Sequence, residues 1–147
     1  MSKLPDISQD GAGWVYSDKV KDHFLNPRNF ISGKIDIHQF DGVGEVGSPA
    51  CGDLMRVFIK VAKDRITECK WQTFGCASAI ASTSVMSEMV TGMTLEEAGK
   101  IRPQDIVSKL DGLPARKIHC SVLGDQALRA AIVNYKSRRI DNEQENI

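Results

Sequence analysis

Two stretches of alternating apolar and polar residues, joined by a short connection, constrain the fold of this 147-residue chain most strongly. The apolar positions of the first stretch are Met55, Val57, Ile59 and Val61, and one face of the second carries Thr67, Cys69, Trp71 and Thr73. Because side chains alternate between the faces of a strand, each stretch predicts a half-buried strand, and the tight connection Lys63–Arg65 predicts antiparallel pairing. The glycine-rich residues 41–48 predict a preceding strand with bends or bulges.

Helical patterns lie on both sides of these strands. Ser17 is placed to cap a first helix, which the Asn-Pro-Arg-Asn sequence at 26–29 ends. After the last strand, a run of small residues with helical spacing predicts a helix that begins at or next to Cys76 and ends at Gly92.

Three further helices are predicted in the C-terminal half. Thr94 and Glu97 form a capping-box pattern, and Pro103 suits the first turn of the next helix. The last helix is predicted to start close to Cys120 and to have Arg138 in its final turns. The order α-β-β-β-α-α-α-α indicates an α+β fold, in which helices cover a small three-stranded antiparallel sheet.

Composition restricts the function classes. The 19 Lys and Arg residues balance the 19 Asp and Glu residues. The sequence contains no long basic block of the kind that would indicate nucleic-acid binding. The sequence shows neither a membrane span nor a signal-peptide pattern, so we expect a cytoplasmic protein that does not bind membranes. We interpret residues 1–147 as one domain, ordered from about 14 to 138 with polar, mobile ends. In a reducing compartment its four cysteines are expected to be ligands, nucleophiles or core residues.

The segment Ser-Pro-Ala-Cys-Gly-Asp at 48–53 places a thiol and a carboxylate two residues apart. In a strand, Cys51 and Asp53 would point to the same side. A carboxylate beside a thiolate is unfavourable unless a cation lies between them, so the pair indicates a metal. A turn that contains a small apolar cysteine is the alternative that these local residues leave open.

Cys76 and Cys120 each lie where a helix is predicted to begin. Free backbone N–H groups at a helix start favour the thiolate, which binds metals and attacks sulfur, although either cysteine alone could equally be a packed core residue. His119 adds an imidazole beside Cys120, whereas Cys69 shares a strand face with Trp71 and is predicted to be buried. The residues thus predict a metal or sulfur site of three cysteines and one aspartate, with a histidine beside it.

Two other function classes fit parts of this set. Cys51, Asp53, Cys76 and Cys120 could form a closed structural zinc site, but structural zinc sites favour Cys and His over Asp. A cysteine enzyme could use Cys120 as nucleophile and His119 as base, which would not need the other two cysteines.

Four stretches together resemble a known family: VYSDKVKDHFLNPRNF, GVGEVGSPACGDLM, QTFGCASAIASTSVMSEMVTG and KIHCSVLGDQALRAAIVNYK. From about Trp14 to Arg138 the chain is similar to the iron–sulfur cluster assembly scaffolds, the IscU proteins and the N-terminal domain of NifU. The resemblance implies a transient [2Fe–2S] cluster, or Zn²⁺ or Fe²⁺ in the cluster-free form. The residues it assigns to the site are Cys51, Cys76 and Cys120 as thiolate ligands, Asp53 as a labilising ligand, His119 as an alternative ligand and Lys117 nearby.

The same resemblance implies the partners. A cysteine desulfurase would donate sulfur, an iron donor and an electron donor would complete the cluster, and acceptor apoproteins would receive it. The chain would then be a carrier and not a turnover enzyme. The segment Leu113–Lys117 corresponds to the family's recognition site for an Hsp70/J-protein chaperone pair, but Ala115 and Arg116 replace the usual Pro and Val.

Overall fold

The computed structural model describes residues 17–48, 53–74, 77–112 and 122–145. Its elements are α1 (Asp18–Leu25), β1 (Gly42–Ser48), β2 (Asp53–Ala62), β3 (Arg65–Phe74), α2 (Ala77–Val90), α3 (Leu95–Gly99), α4 (Pro103–Lys109) and α5 (Val122–Glu145). A single 3-10 turn, Ile37–Gln39, lies between α1 and β1 in this part of the chain. The predicted α+β class and element order are confirmed.

The strands form an antiparallel sheet in the order β1-β2-β3. β1 pairs with β2 in an unbroken register from Gly42 opposite Ile59 to Ser48 opposite Asp53. The bends expected in the glycine-rich strand are therefore absent from its pairing with β2, and the sheet's register shift lies between Lys60 and Val61. One face of the sheet packs under the helices with completely buried side chains, among them Met55, Val57, Ile59 and Trp71.

The glycines of β1 bring α5 directly onto the strand. A Cβ atom at Gly44 would lie 2.0 Å from the Ala127 carbonyl oxygen and 2.5 Å from the Ala131 nitrogen. At Gly42 it would lie 2.4 Å from the Ala131 carbonyl oxygen. Such distances exclude a side chain at either position. The two glycines therefore allow the backbones of β1 and α5 to approach closely, and they do not bend the strand.

Buried polar side chains join α1 to α2. Ser17 caps α1 as predicted, since its Oγ accepts a hydrogen bond from the Val20 N–H at 3.1 Å. His23 is buried, and its Nδ1 lies 2.8 Å from Ser84 Oγ, which also accepts the Arg28 N–H at 2.9 Å. These partners satisfy polar groups that would otherwise be buried without hydrogen bonds.

Because His23 is buried, we expect the stability of the folded protein to decrease in mild acid. Burial, followed by the charge of Arg28, lowers the pKa of His23 below 6.5, although the carboxylates of Glu88 and Asp22 act in the opposite direction. The unfolded chain therefore binds the proton more readily, and stability falls as the pH decreases through the unfolded pKa. Between about pH 7.5 and pH 5.5, we expect the melting temperature of His23→Gln to fall less than that of the wild type.

The exposed His38 provides the control for this experiment. His38→Gln should reproduce the wild-type pH dependence of the melting temperature, because it removes an exposed imidazole and leaves the buried His23 in place. Parallel curves for the wild type and His23→Gln would contradict the prediction.

The C-terminal helices begin where predicted, but α3 ends at Gly99, before the predicted Ile101, and α5 ends later than predicted. Thr94 and Glu97 form both hydrogen bonds of a capping box, and Pro103 begins α4. α5 continues to Glu145, beyond the predicted end near Arg138, because the Glu- and Gln-rich sequence has good helix propensity. No helix among the described residues is both long enough and apolar enough to span a membrane.

Candidate metal centre

Most of the predicted site residues lie outside the described residues: Cys51, Cys76, Lys117, His119 and Cys120, together with the rest of the segment Leu113–Lys117. Asp53 is described as the first residue of β2, where its backbone pairs with Ser48 of β1. The ends of the helices and strands that adjoin these positions in the sequence are described, and their arrangement follows from strand register and helix packing.

Three strand ends lie at one end of the sheet. Ser48, the last residue of β1, pairs with Asp53, the first residue of β2. Phe74, the last residue of β3, pairs with Leu54. The antiparallel register therefore places the ends of β1 and β3 beside the start of β2.

The start of α2 lies at this same end. The Gly92 N–H, just after α2, donates to the Ile66 carbonyl oxygen at 2.7 Å, and the Ile66 N–H donates to the Met93 carbonyl oxygen at 2.9 Å. The end of α2 is thus fixed beside the start of β3. Since α2 runs back along the sheet from there, Ala77 lies at the end of the sheet that contains Phe74.

The start of α5 also lies near this end of the sheet. Gly42 approaches Ala131 and Tyr135, whereas Gly44 approaches Ala127 and Ala131, so α5 runs antiparallel to β1. The four residues from Gly44 to Ser48 cover about 13 Å of strand, which equals roughly nine residues of α-helix. Counting back from Ala127–Ala131 brings the start of α5 level with the end of β1.

Each candidate ligand adjoins one of these ends in the sequence. Cys51 lies in the connection between β1 and β2, Cys76 immediately precedes α2, and Cys120 is two residues before α5. The strand and helix termini that adjoin the three cysteines in the sequence therefore all lie at one end of the sheet. The sequence predicted that the three cysteines share one site but not that α5 reaches this end by packing antiparallel to β1.

A cleft of about 370 Å³ lies beside the same strand ends. Its lining comprises Phe30, Ile31, Ser32, Gly33, Leu54, Arg56, Gln72, Thr73 and Phe74. Phe74, which is two residues before Cys76 in the sequence, is 73% exposed. The Arg56 guanidinium pairs with the Glu45 carboxylate at 2.5 Å, so the positive charge at the cleft is balanced.

Asp125, in the first turn of α5, was not singled out from the sequence. Its side chain is buried, and burial raises the pKa of this carboxyl group, while the Arg129 guanidinium at 2.9 Å from Oδ2 opposes the shift. Arg129 also donates from Nη1 to the Ile101 carbonyl oxygen at 3.2 Å. The i,i+4 spacing of an acid and an arginine was the available sequence signal, and the pair connects the start of α5 to the segment after α3.

Cys69 is a core residue, as predicted. Its side chain is buried in β3, and burial raises the pKa of its thiol to about 12. A thiol with such a pKa is protonated at neutral pH and is a poor metal ligand. The described residues contain no group of three or more His, Cys, Asp or Glu side chains that could hold a metal ion.

Comparison with known proteins identifies the family. Residues 15–142 match the model of the family described as NifU-like N terminal domain. The scaffold protein IscU 1 of Archaeoglobus fulgidus, named for iron–sulfur cluster assembly, is 54% identical over 133 residues, which cover 89% of this chain and 84% of that protein. The chain belongs to the NifU-like N-terminal domain family.

Other relatives differ in the share of their own length that the match covers. The cluster assembly scaffold IscU of Azotobacter vinelandii is 52% identical over 127 residues, covering 85% of this chain and 97% of that protein. The nitrogen fixation protein NifU of Nostoc is 50% identical over 129 residues, covering 84% of this chain but 42% of that protein.

Solved structures show the same fold. A cluster assembly scaffold protein for the SUF system from Fervidobacterium islandicum has a TM-score of 0.60 at 23% identity and covers 83% of this chain and 99% of that chain. A NifU-like N-terminal protein from Brucella abortus has a TM-score of 0.62 at 20% identity and covers 82% of this chain and 93% of that chain.

Proposed function

We propose that this protein is a scaffold on which a transient [2Fe–2S] cluster is assembled and from which it passes to acceptor apoproteins. The observation that carries the proposal is the gathering of strand and helix ends that adjoin Cys51, Cys76 and Cys120 at one end of the sheet. Relatives with 50% identity or more are named as cluster assembly scaffolds or NifU, which supports the scaffold over a structural zinc module.

In this proposal the three cysteine thiolates hold the cluster, and Asp53 supplies an oxygen as the fourth ligand. His119 is the alternative fourth ligand, and Lys117, two residues before His119 in the sequence, would approach the same site. Stable [2Fe–2S] clusters are commonly held by four cysteines, so an oxygen or nitrogen in the fourth position makes a more exchangeable site. In the cluster-free form the same groups would bind Zn²⁺ or Fe²⁺.

Sulfur would arrive from the persulfide of a cysteine desulfurase. A scaffold thiolate attacks the terminal sulfur of that persulfide, the S–S bond breaks, and the desulfurase cysteine leaves as a thiolate. An electron donor then reduces the transferred sulfane sulfur by two electrons to sulfide, while an iron donor supplies Fe²⁺. Thiolates next to the start of a helix are suited to the attack, because the helix dipole favours the charged form.

Anaerobic reconstitution tests the proposed function. The protein is incubated with a cysteine desulfurase, cysteine, Fe²⁺ and a reductant, and the product is examined by visible absorption and Mössbauer spectroscopy. We expect a [2Fe–2S] centre that moves to an apo-ferredoxin when this acceptor is added. Failure to form a cluster, or formation of one that never transfers, would rule out the scaffold function.

Replacing Asp53 by alanine is expected to slow transfer of the assembled cluster to apo-ferredoxin by about tenfold. The reason is that the carboxylate is the weakest ligand in the proposed set and the one that an acceptor cysteine displaces most easily. The measurement is the transfer rate, followed by circular dichroism in the visible region.

Glu96→Ala is the matched control for this prediction. Glu96 is an exposed carboxylate in α3, paired with Lys100 at 3.2 Å, so its loss changes the net charge by the same amount. The start of α3 lies beside the β2–β3 connection, since the Leu95 N–H donates to the Asp64 carbonyl oxygen at 3.0 Å, and this is the opposite end of the sheet. Faster transfer from Asp53→Ala than from Glu96→Ala would contradict the labilising role.

A further inference from the structure

Helices α2 and α5 approach each other at Thr83 and Gly124 so closely that a side chain at Gly124 would not fit without a shift. A Cβ atom added to Gly124 would lie 2.9 Å from Thr83 Oγ1, 3.6 Å from Thr83 Cβ and 3.5 Å from Met86 Sδ. Thr83 is completely buried, and its Oγ1 has no hydrogen-bond partner among the residues that the structure describes. The hydroxyl thus occupies the space that a side chain at Gly124 would need.

Both residues are locally unfavourable choices. Glycine within a helix is less favourable than alanine, and a buried hydroxyl without a hydrogen-bond partner loses its solvation without compensation. When two such choices meet at one contact, the contact itself is the best explanation for both, because local rules are most often broken where function requires it. The contact permits a close approach of the two helices, whose separation depends on the side chains between them.

The position of this contact connects it to the proposed cluster site. Gly124 is in the first turn of α5, which begins two residues after Cys120, and Thr83 is in the first half of α2, which begins directly after Cys76. The contact therefore sets the separation between the start of α5 and a point about two turns into α2.

We propose that Thr83 and Gly124 are positioning residues that set the separation between α2 and the start of α5, the helices whose starts adjoin Cys76 and Cys120 in the sequence. This inference rests on the proposed function and extends it to two residues that are not ligands. A Cβ at 2.9 Å must move by about half an ångström to reach ordinary contact, and a binding constellation tolerates displacements of about that size before it weakens. Adding one methyl group at Gly124 should therefore weaken metal binding.

Gly124→Ala tests the inference through Co²⁺ binding to the metal-free protein. We expect the Co²⁺ affinity to fall about tenfold and the thiolate-to-cobalt charge-transfer and d–d bands to shift. The helical circular dichroism and the cooperativity of unfolding should be retained, because alanine improves helix propensity at this position. These absorption bands report ligand geometry, which a purely structural role would leave unchanged.

Two further variants isolate the contact. Gly99→Ala in α3 is the control, because a Cβ there meets nothing within 4 Å, and it should bind Co²⁺ like the wild type. The double variant Thr83→Ala/Gly124→Ala should recover wild-type affinity and bands, because it removes the oxygen that the new methyl group meets.

The possible results separate this inference from the proposed function. Wild-type affinity and bands in Gly124→Ala would overturn the positioning role, as would a double variant no better than the single variant. Global unfolding of both variants would also overturn it, since the contact would then be a folding requirement only. A wild-type protein that shows no thiolate-to-cobalt bands would instead overturn the proposed cysteine site.

Discussion

Replacing Gly44 by alanine is expected to destabilise the protein by about 3 kcal/mol or more, at the upper end of overpacking effects. The new Cβ would lie 2.0 Å from the Ala127 carbonyl oxygen and 2.5 Å from the Ala131 nitrogen. Both atoms belong to the α5 backbone, which cannot rotate away as a flexible side chain would, so the helix must separate from β1. For a domain of this size we expect the melting temperature to fall by about 10 °C.

Gly99→Ala provides the matched comparison, because nothing lies within 4 Å of the added atom and alanine favours the helix. Its melting temperature should equal or exceed that of the wild type. The displacement of α5 should also weaken Co²⁺ binding by Gly44→Ala at temperatures where the variant is folded, because Cys120 adjoins the start of that helix in the sequence. A Gly44→Ala protein with wild-type stability would contradict the direct packing of the α5 backbone on β1.

Features that depend on neighbouring residues were predictable from the sequence. The Ser17 cap and the Thr94–Glu97 capping box each need only residues three positions apart. The two alternating strands and their short connection likewise determine an antiparallel pair locally. The first strand also joins β2 through a short connection. The sequence order therefore predicted an antiparallel sheet in the order β1-β2-β3, in which the ends of β1 and β3 lie beside the start of β2.

Features that depend on distant residues were not predictable. Gly42 and Gly44 were interpreted as bends, since nothing near them in the sequence indicates that Ala127 and Ala131 pack on them. For the same reason the packing role of Gly124 could not be predicted, because its contact with Thr83 joins two helices that are far apart in the chain. A glycine that permits close packing and a glycine that bends a strand look the same in a sequence.

The candidate site divides in the same way. The chemistry of each ligand could be predicted from its own segment, as with the carboxylate of Asp53 two residues from Cys51. Cys120 was also predicted from its own segment to belong to this site. The antiparallel packing of α5 on β1, which brings the start of α5 to this end of the sheet, depends on distant residues and could not be predicted. The family prediction is confirmed by the match over residues 15–142, whereas the individual ligands remain a proposal.

Single replacements of Cys51, Cys76 and Cys120 by alanine are expected to reduce the yield of transferable cluster by at least about tenfold each. Each change removes one of three thiolates, and the remaining ligands are too few to hold two iron ions against exchange with solvent. The measurement is the visible absorption of the reconstituted protein, together with the iron and sulfide that apo-ferredoxin acquires.

Cys69→Ala distinguishes loss of a ligand from loss of any cysteine. Burial raises the pKa of the Cys69 thiol to about 12, so it remains protonated and cannot replace a missing thiolate. The variant should lose about 1 kcal/mol of stability but assemble and transfer a cluster as the wild type does at temperatures well below its melting point. Equal loss of cluster in Cys69→Ala and Cys76→Ala would argue against the proposed ligand set, because only a general effect on folding would then be common to both.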